Sequence, residues 1–263
     1  MRFAVLGGSG TLGQAVTAAA LAAGHTVTAV SRRPPAKLPD GTRHVAADVT
    51  TGVGLDAAFA GAEAIIDGTN AMANAREVLV EGTRKVLDAA KAANVPHFVG
   101  ISIVGIDTAP IKYYRIKVEQ EAVIKESPVP WSLLRATQFH DLVPRLVAGR
   151  LGISVVPRKF PIQPIDAREV AQLLVDAAIG GPAGRLPDAG GPEVLQLADI
   201  GRDYLRAAHQ RRWMLRVPVP GATGRFLAAG SLCCPDQKIG TKTFAQWLEE
   251  TYPAAAQPGS APT

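Results

Sequence analysis

The sequence predicts an α/β fold in which a doubly wound parallel sheet occupies the first half of the chain and a smaller C-terminal lobe follows. From Arg2 to about Arg135, short β-branched runs alternate with segments of helical periodicity, as parallel strands joined by crossover helices do. Apolar residues run almost without interruption in FAVL, VTAV and HFVGIS, which is typical of strands covered by helices on both faces. After Arg135 frequent prolines interrupt the alternation, so we expect the separate lobe there.

Six strands and three long helices are predicted in the alternating part. The predicted strands are Arg2–Leu6, Thr26–Val30, His44–Ala46, Ala64–Asp67, His97–Ile101 and Trp131–Arg135. The predicted helices are Leu12–Ala23, Ala75–Ala93 and Ile111–Lys125. Gly24 ends the first helix, and Asn94 with Pro96 ends the second, because these residues favour turns over continued helix.

We divide the chain into a core of residues 1–137, a mixed region of residues 138–255 and a frayed tail of residues 256–263. The mixed region is expected to add to the sheet edge and to form the lobe. Within it, Asp166 precedes an apolar run and Glu169 follows three residues later. This spacing predicts a helix that begins with a capping box.

Composition excludes several classes of protein. The 263 residues are 47% hydrophobic and 19% charged, which is typical of a globular chain and not of a disordered, collagen-like or coiled-coil one. Cys233 and Cys234 are adjacent, so they give no spaced framework for disulfides or zinc, and we expect two small buried side chains and no metal site.

Charge and hydropathy indicate neither nucleic acid nor a membrane as a partner. The net charge is +5, but the basic residues are scattered apart from Arg32-Arg33 and Arg211-Arg212, and only 5% of residues are aromatic. The apolar run near the start is shorter than that of a signal peptide, and no stretch is long enough to span a bilayer. We therefore expect a cytoplasmic protein.

The segment GGSGTLG, residues 7–13, lies directly after a predicted strand and directly before a predicted helix. Gly7 permits a tight turn, Gly10 lets a pyrophosphate approach the backbone, and Gly13 allows close packing of helix on strand. Free N–H groups and the helix dipole favour a phosphate at such a turn. We predict a Rossmann fold that binds a dinucleotide here, through Gly7, Ser9, Gly10, Thr11, Leu12 and Gly13.

The end of the second predicted strand bears on which dinucleotide binds. An acidic residue there would bind the ribose 2′-OH of NAD, whereas arginine accommodates the 2′-phosphate of NADP. The chain reads AVSRRPP, so Ser31, Arg32 and Arg33 favour NADP(H) over NAD(H). After the third and fourth strands, Asp48-Val49 is interpreted either as an adenine contact or as a turn, and Gly68-Thr69 as a ribose contact or a turn.

Tyr113 and Lys117 are four residues apart on a predicted helix, so their side chains share one face. A neighbouring ammonium lowers the pKa of a phenol, which makes proton transfer easier near neutral pH. Ser102 follows the fifth predicted strand, at the edge where open α/β sheets bind ligands. These three residues are the candidate catalytic group.

Taken together, these motifs resemble the short-chain dehydrogenase/reductase superfamily, and more narrowly its atypical, NmrA-like members. The resemblance rests on GGSGTLG, SRRP, ISIVGID, YYRIK, WSLLRATQFHDL and PIDAREVA. It implies that Tyr113 protonates or deprotonates a substrate oxygen, that Lys117 binds the nicotinamide ribose and lowers the tyrosine pKa, and that a hydroxyl such as that of Ser102 holds the carbonyl. Ser102 lies only 11 residues before Tyr113, which is shorter than the family's usual spacing.

The expected function is NADP(H)-dependent hydride transfer to or from a small organic carbonyl, quinone or enone. Phe139 and His140 follow the sixth strand and are candidates for substrate contact, although a histidine at a helix start is the simpler interpretation of His140. Two alternatives stay open: an NmrA-like redox sensor that catalyses nothing, and an NAD(P)-dependent sugar epimerase. The expected partners are the small-molecule substrate and, as an open alternative, a second copy of the chain in a homodimer.

Overall fold

The computed structural model describes residues 1–34 and 37–253, so the tail predicted at 256–263 lies outside the described residues. The strands are β1 (Arg2–Leu6), β2 (Thr26–Ser31), β3 (Arg43–Ala46), β4 (Ala64–Asp67), β5 (Phe98–Ile103), β6 (Trp131–Ala136), β7 (Ile153–Pro157), β8 (Pro161–Ile162), β9 (Gly184–Arg185), β10 (Leu195–Gln196) and β11 (Trp213–Val217). The α-helices are α1 (Thr11–Ala22), α2 (Leu55–Phe59), α3 (Gly82–Ala92), α4 (Lys112–Lys125), α5 (Val143–Leu146), α6 (Ala167–Gly180), α7 (Leu197–Ala207), α8 (Gly221–Ala228) and α9 (Phe244–Thr251).

Within the described residues, seven parallel strands form the central sheet in the order β3-β2-β1-β4-β5-β6-β9. The chain starts at β1, runs to one edge through β2 and β3, then returns past β1 to build the other half. This reversal between β1 and β4 is the switch point at which open α/β sheets bind ligands beyond the carboxyl ends of their strands. The predicted doubly wound α/β fold is confirmed.

Helices cover both faces of the sheet. On one face the buried side chains of α2, α3 and α4 pack on the strands, and on the other face α1 and α6 do so. The α3 helix is preceded by a π-helical turn, Glu77–Glu81, so one nearly continuous helix occupies the segment predicted at Ala75–Ala93. α6 lies beyond residue 137, so the C-terminal region completes the helical layer of the core as well as forming the lobe.

The lobe is a separate hydrophobic cluster built from α5, α7, α8, α9 and the short strands β7, β8, β10 and β11. β11 pairs with β7 in a two-stranded parallel sheet, and β10 pairs with β8 in an antiparallel one. Within the residues that the structure describes, no helix is both long and apolar enough to cross a membrane.

Two local expectations about the C-terminal region need correction. Asp166 caps α6 by accepting a hydrogen bond from the Arg168 N–H, but Glu169 does not return a bond to complete a capping box. Its carboxylate accepts hydrogen bonds from Thr241 and Lys242 instead, which ties α6 to the segment before α9. Cys233 and Cys234 are half-buried where full burial was expected. They lie in the segment between α8 and α9, where the Cys234 N–H donates to the buried Gln163 side chain at 2.7 Å.

Candidate active site at the carboxyl edge of the sheet

The glycine turn between β1 and α1 has the geometry of a phosphate cradle. Gly7 has a φ of +70°, in the left-handed region that favours glycine. A Cβ at Gly13 would lie 2.2 Å from the Gly7 carbonyl oxygen, so α1 can approach the turn only with glycine there. Ser9, Gly10 and Thr11 are exposed, and the Gly10 N–H donates to the Gly7 carbonyl at 2.8 Å within the turn. Among the described residues, no side chain caps the start of α1. These residues fit a dinucleotide pyrophosphate.

The loop after β4 lies directly against the glycine turn. A Cβ at Gly7 would lie 2.9 Å from the backbone carbon of Gly68. Next to it, the Thr69 N–H donates to the buried Asp67 carboxylate at 2.9 Å, while the buried Thr69 hydroxyl has no hydrogen-bond partner among the described residues. The structure thus brings two of the predicted cofactor loops together and leaves a buried polar atom beside them.

The end of β2 presents two exposed arginines. The Ser31 hydroxyl donates a hydrogen bond to the Arg33 carbonyl at 2.8 Å and lies 3.1 Å from His44 Nε2. These two contacts hold the start of the loop. Arg32 and Arg33 project into solvent at the end of the strand, where a nucleotide ribose would lie. The residues present therefore fit a 2′-phosphate.

Asp48 and Val49 shape the neighbouring loop. The Asp48 carboxylate accepts hydrogen bonds from the Thr50 N–H and hydroxyl at 2.9 and 2.8 Å. These bonds, with a smaller contribution from Arg32, hold the pKa of Asp48 below its usual range. Val49 packs against Gly82, where an added Cβ would meet it at 3.1 Å. The bonds to Thr50 shape a turn at Asp48, and contact of Asp48 or Val49 with an adenine stays a prediction.

Tyr113 lies in the first turn of α4 and reaches the loop after β4. Its hydroxyl donates a hydrogen bond to Asn70 Oδ1 at 2.8 Å, and Asn70 itself is exposed. Burial, and then the neighbouring Tyr114, raise the pKa of Tyr113 to about 12, while the bond to Asn70 acts in the opposite direction. The expectation of a lowered tyrosine pKa is therefore wrong for this structure.

The reason is the position of Lys117. Its side chain is only 4% exposed, and its ammonium donates to the Ile101 carbonyl at 2.9 Å and to Gln120 Oε1 at 2.5 Å. Burial lowers the pKa of Lys117 to about 8, against the opposing charges of Asp67 and Glu121. Because the ammonium is directed under β5 and not to the phenol, it does not favour the phenolate of Tyr113.

Ser102 lies inside a strand and not at its end. β5 extends to Ile103, two residues beyond the prediction, and this extension buries the Ser102 side chain to 3% exposure. The Glu121 carboxylate lies beside the Ser102 hydroxyl. The hydroxyl nevertheless has no partner of normal hydrogen-bond geometry within the described ranges. The serine expected at the edge thus faces α4.

A buried ion network next to Ser102 was not foreseen from the sequence. Arg135 on β6 binds Glu121 on α4 through Nε and a terminal nitrogen at 2.7 and 2.8 Å, and Asp107 after β5 at 2.6 and 2.7 Å. Burial acts to raise the Glu121 pKa, but the Arg135 bonds outweigh it and leave the pKa low. The signal was present in WSLLRA, because an arginine in a buried strand requires a partner.

Phe139 and His140, the two candidates for substrate contact, differ in their burial. Phe139 is half-buried at the end of β6, with its backbone bridged to Ile165. His140 is fully buried, packs on Phe244 and Trp247 with ring centroids 5.6 and 5.8 Å away, and places Nε2 3.1 Å from the Lys242 carbonyl. His140 is thus a core residue of the lobe, with no surface open to a substrate.

Comparison with known proteins agrees with this geometry. A family model described as NAD(P)H-binding matches residues 7–179, which is more than half of the chain. The chain belongs to this NAD(P)H-binding family. The match begins at the glycine turn and ends in α6, so it spans all four predicted cofactor-binding segments as well as Tyr113 and Lys117. The resemblance to the NmrA-like, atypical short-chain dehydrogenases and reductases is confirmed.

Among curated relatives of this NAD(P)H-binding chain is the (4-alkanoyl-5-oxo-2,5-dihydrofuran-3-yl)methyl phosphate reductase of Streptomyces griseus. It is 29% identical over 213 residues, which cover 75% of this chain and 72% of that protein. A further relative, from Mycobacterium bovis, is 26% identical over 183 residues, and the chain spans only 20% of its length.

Among solved structures, the NADPH-dependent quinone oxidoreductase of Escherichia coli, complexed with NADPH, superposes with a TM-score of 0.71. It is 18% identical, and the match covers 96% of this chain and all of that one. A likeness at this identity shows a shared fold.

Proposed function

We propose that the protein is an NADP(H)-dependent oxidoreductase that reduces a small organic carbonyl, quinone or enone. The observation that carries the proposal is the Tyr113 hydroxyl, which donates to Asn70 at 2.8 Å in the loop that contacts the glycine turn. A proton donor thus lies beside the loops that fit the dinucleotide. When bound, NADPH would supply the hydride.

The chain's own residues bind and orient the cofactor in this proposal. The N–H groups of Ser9 and Thr11 bind the pyrophosphate, beside Gly10, whose own N–H closes the turn on the Gly7 carbonyl. Arg32 with Arg33 binds the 2′-phosphate. No carboxylate stands in SRRPP to bind a free 2′-OH, so NADP(H) is preferred over NAD(H). The Gly68 and Thr69 loop lies against the ribose.

Tyr113 acts as the proton donor, which favours reduction as the direction of reaction. Because its pKa is about 12, the phenol keeps its proton at neutral pH. A substrate oxygen that gains negative charge can replace the exposed Asn70 amide as the acceptor of that proton. Asn70 therefore positions the phenol between turnovers. Lys117 ties α4 to β5 through the Ile101 carbonyl and does not touch the reacting oxygen.

The names of the similar proteins support a conjugated carbonyl as the substrate class. The Streptomyces griseus relative is named for a ring in which a double bond is conjugated to a carbonyl, and the Escherichia coli enzyme is named for quinones. Both kinds of molecule accept a hydride and leave negative charge on an oxygen. That oxygen needs a proton donor, which is the role assigned here to Tyr113.

A second candidate is a redox sensor that binds the dinucleotide without catalysis. The buried position of Lys117 favours it, because the ammonium that should activate the tyrosine is held by Ile101 and Gln120. A sensor would distinguish NADP⁺ from NADPH in binding, and it would oxidise no NADPH with any acceptor.

The test combines binding and turnover. We expect the wild-type protein to bind NADPH more tightly than NADH and to oxidise NADPH with members of a panel of quinones and enones. The paired change Arg32→Ala and Arg33→Ala should weaken NADPH binding by about 10- to 100-fold, since a charge-assisted hydrogen bond contributes about 1.5–3 kcal/mol, while NADH binding stays the same. Arg84→Ala, at an exposed arginine of α3, is the matched control.

Equal loss of NADH and NADPH affinity in the paired variant would contradict the cofactor assignment. NADPH binding without oxidation by any acceptor would instead favour the sensor.

A further inference from the structure

The strand pair β7 and β11 exposes a patch of large apolar side chains. In the parallel register Trp213 lies beside Ile153 and Leu215 beside Val155, so these four side chains share one face. Trp213 is 84% exposed, and the other three are 45–55% exposed. On the opposite face of β7, Ser154 and Val156 are buried.

The turn before β7 extends this patch. Leu151 is 100% exposed and has a φ of +52°, a conformation that an apolar L-residue rarely adopts. Together the five side chains present on the order of 500 Å² of apolar surface, at the upper end of the largest patch on an ordinary monomer. A patch of this size indicates an interaction surface.

The surroundings of the patch are strongly basic. Residues 145–159 and 206–217, which include both strands, contain eight arginines and lysines and no Asp or Glu. The other 20 basic residues of the chain are outnumbered by its 23 acidic ones, so the net charge of +5 comes from this part. Two of the eight are paired with carboxylates of α7, Arg206 with Asp203 and Arg216 with Asp199. The flanking residues are Arg145, Arg150, Arg158, Lys159, Arg206, Arg211, Arg212 and Arg216.

We propose that the outer face of β7 and β11 docks on an anionic lipid surface. Tryptophan and aliphatic side chains favour the boundary between headgroups and acyl chains, and arginine or lysine around them binds anionic headgroups. A second copy of this chain is disfavoured, because an isologous contact would bring the arginines and lysines around the patch against the same residues of the other copy. An acidic protein would need carboxylates fixed opposite these cations, whereas anionic lipids diffuse to meet them.

Docking on a lipid surface would depart from the sequence-based expectation that the protein has no membrane partner. The proposed binding is peripheral and uses one face of a small sheet. Its apolar residues alternate along two strands distant in sequence, so neither a continuous apolar run nor the net charge of +5 reveals them. The proposal does not depend on the catalytic role of Tyr113.

The first test is binding of the full-length wild-type protein to phosphatidylcholine vesicles with and without phosphatidylglycerol. We expect co-sedimentation with the anionic vesicles only, weakened by salt. Trp247 is buried and Trp131 half-buried, so a blue shift of tryptophan emission on binding would report mainly Trp213. Absence of binding to the anionic vesicles would overturn the proposal.

Variants distinguish vesicle binding by the face of β7 and β11 from non-specific binding by other exposed apolar residues. The paired change Trp213→Ser and Leu215→Ser should weaken vesicle binding at least tenfold, and Arg150→Gln with Arg211→Gln should weaken it comparably. Ile179→Ser, at an exposed apolar residue of α6, is the matched control and should bind as wild type does. NADPH binding by each variant verifies folding.

Equal losses in the control variant would overturn the assignment to this face. A dimer in sedimentation velocity that Trp213→Ser abolishes would place a second copy there and would also overturn it.

Discussion

At the residue scale, the pairing of Tyr113 with Lys117 shows how far a spacing can predict a site. The four-residue interval correctly predicted two side chains on one face of one helix. It could not predict where the lysine ammonium ends, because that depends on Asp67 and the Ile101 carbonyl, which are distant in sequence, as well as on the neighbouring Gln120. Asn70 as the partner of Tyr113 depends in the same way on a contact across 43 positions.

Burial of Lys117 predicts a specific dependence of stability on pH. The folded pKa of about 8 lies below the ordinary value of 10.5, so between these values the unfolded chain binds more protons than the folded one. The cost of burying the ammonium is therefore fully present below about pH 8 and is lost as the pH rises to 10.5.

We expect the free energy of unfolding of the wild type to rise relative to that of Lys117→Met by about 3 kcal/mol between about pH 7 and about pH 10.5. Urea unfolding at several pH values measures this. A difference between the two proteins that does not change with pH would contradict it.

At the element scale, most of the parallel sheet could be predicted because each strand and helix carries its own local signal. Strands β1 and β4 have the bounds that the sequence predicts, and the other four core strands differ by one or two residues at an end. The error at β5 mattered most, since two extra residues moved Ser102 from the expected edge into a buried position. α2 was missed because its five residues are too short for helical periodicity to show.

The glycine turn gives a test at this scale. Gly13→Ala would place a Cβ 2.2 Å from the Gly7 carbonyl, so α1 must move away from the phosphate cradle. We expect NADPH affinity to fall at least tenfold. Gly180→Ala, at a helical glycine of α6 with no atom within 4 Å of the added Cβ, is the control and should leave affinity unchanged. Calorimetric titration measures both, and equal affinities in the two variants would show that the turn does not bind the cofactor.

The ion network between β6 and α4 gives a second test. Arg135→Met leaves the buried Glu121 carboxylate without its main partner, so we expect a loss of about 3–5 kcal/mol in the free energy of unfolding. The double change Arg135→Met with Glu121→Gln removes the uncompensated charge and should cost less. Denaturant unfolding of the three proteins decides this. A double variant less stable than the single one would contradict the account.

At the scale of the whole molecule, the lobe could not be predicted beyond its existence. Its strands β8 and β10 are two residues long, and β7 pairs with β11 across about 60 positions of sequence. Such pairings leave no local periodicity to detect. The position of α6 was missed for a related reason: it lies in the proline-rich half of the sequence, yet it packs against α1 on the central sheet.

The central claim is that Tyr113 donates a proton during NADPH-dependent reduction at the carboxyl edge of this sheet. The most direct measurement is the rate of NADPH oxidation by Tyr113→Phe beside Tyr114→Phe, with a quinone or enone that the wild type reduces. Tyr114 is the matched control because its ring packs toward Phe226 in the lobe. The account predicts that Tyr113→Phe lowers kcat by about 100-fold or more without weakening NADPH binding, and that Tyr114→Phe keeps most of the rate. A Tyr113→Phe protein with the wild-type kcat would contradict it.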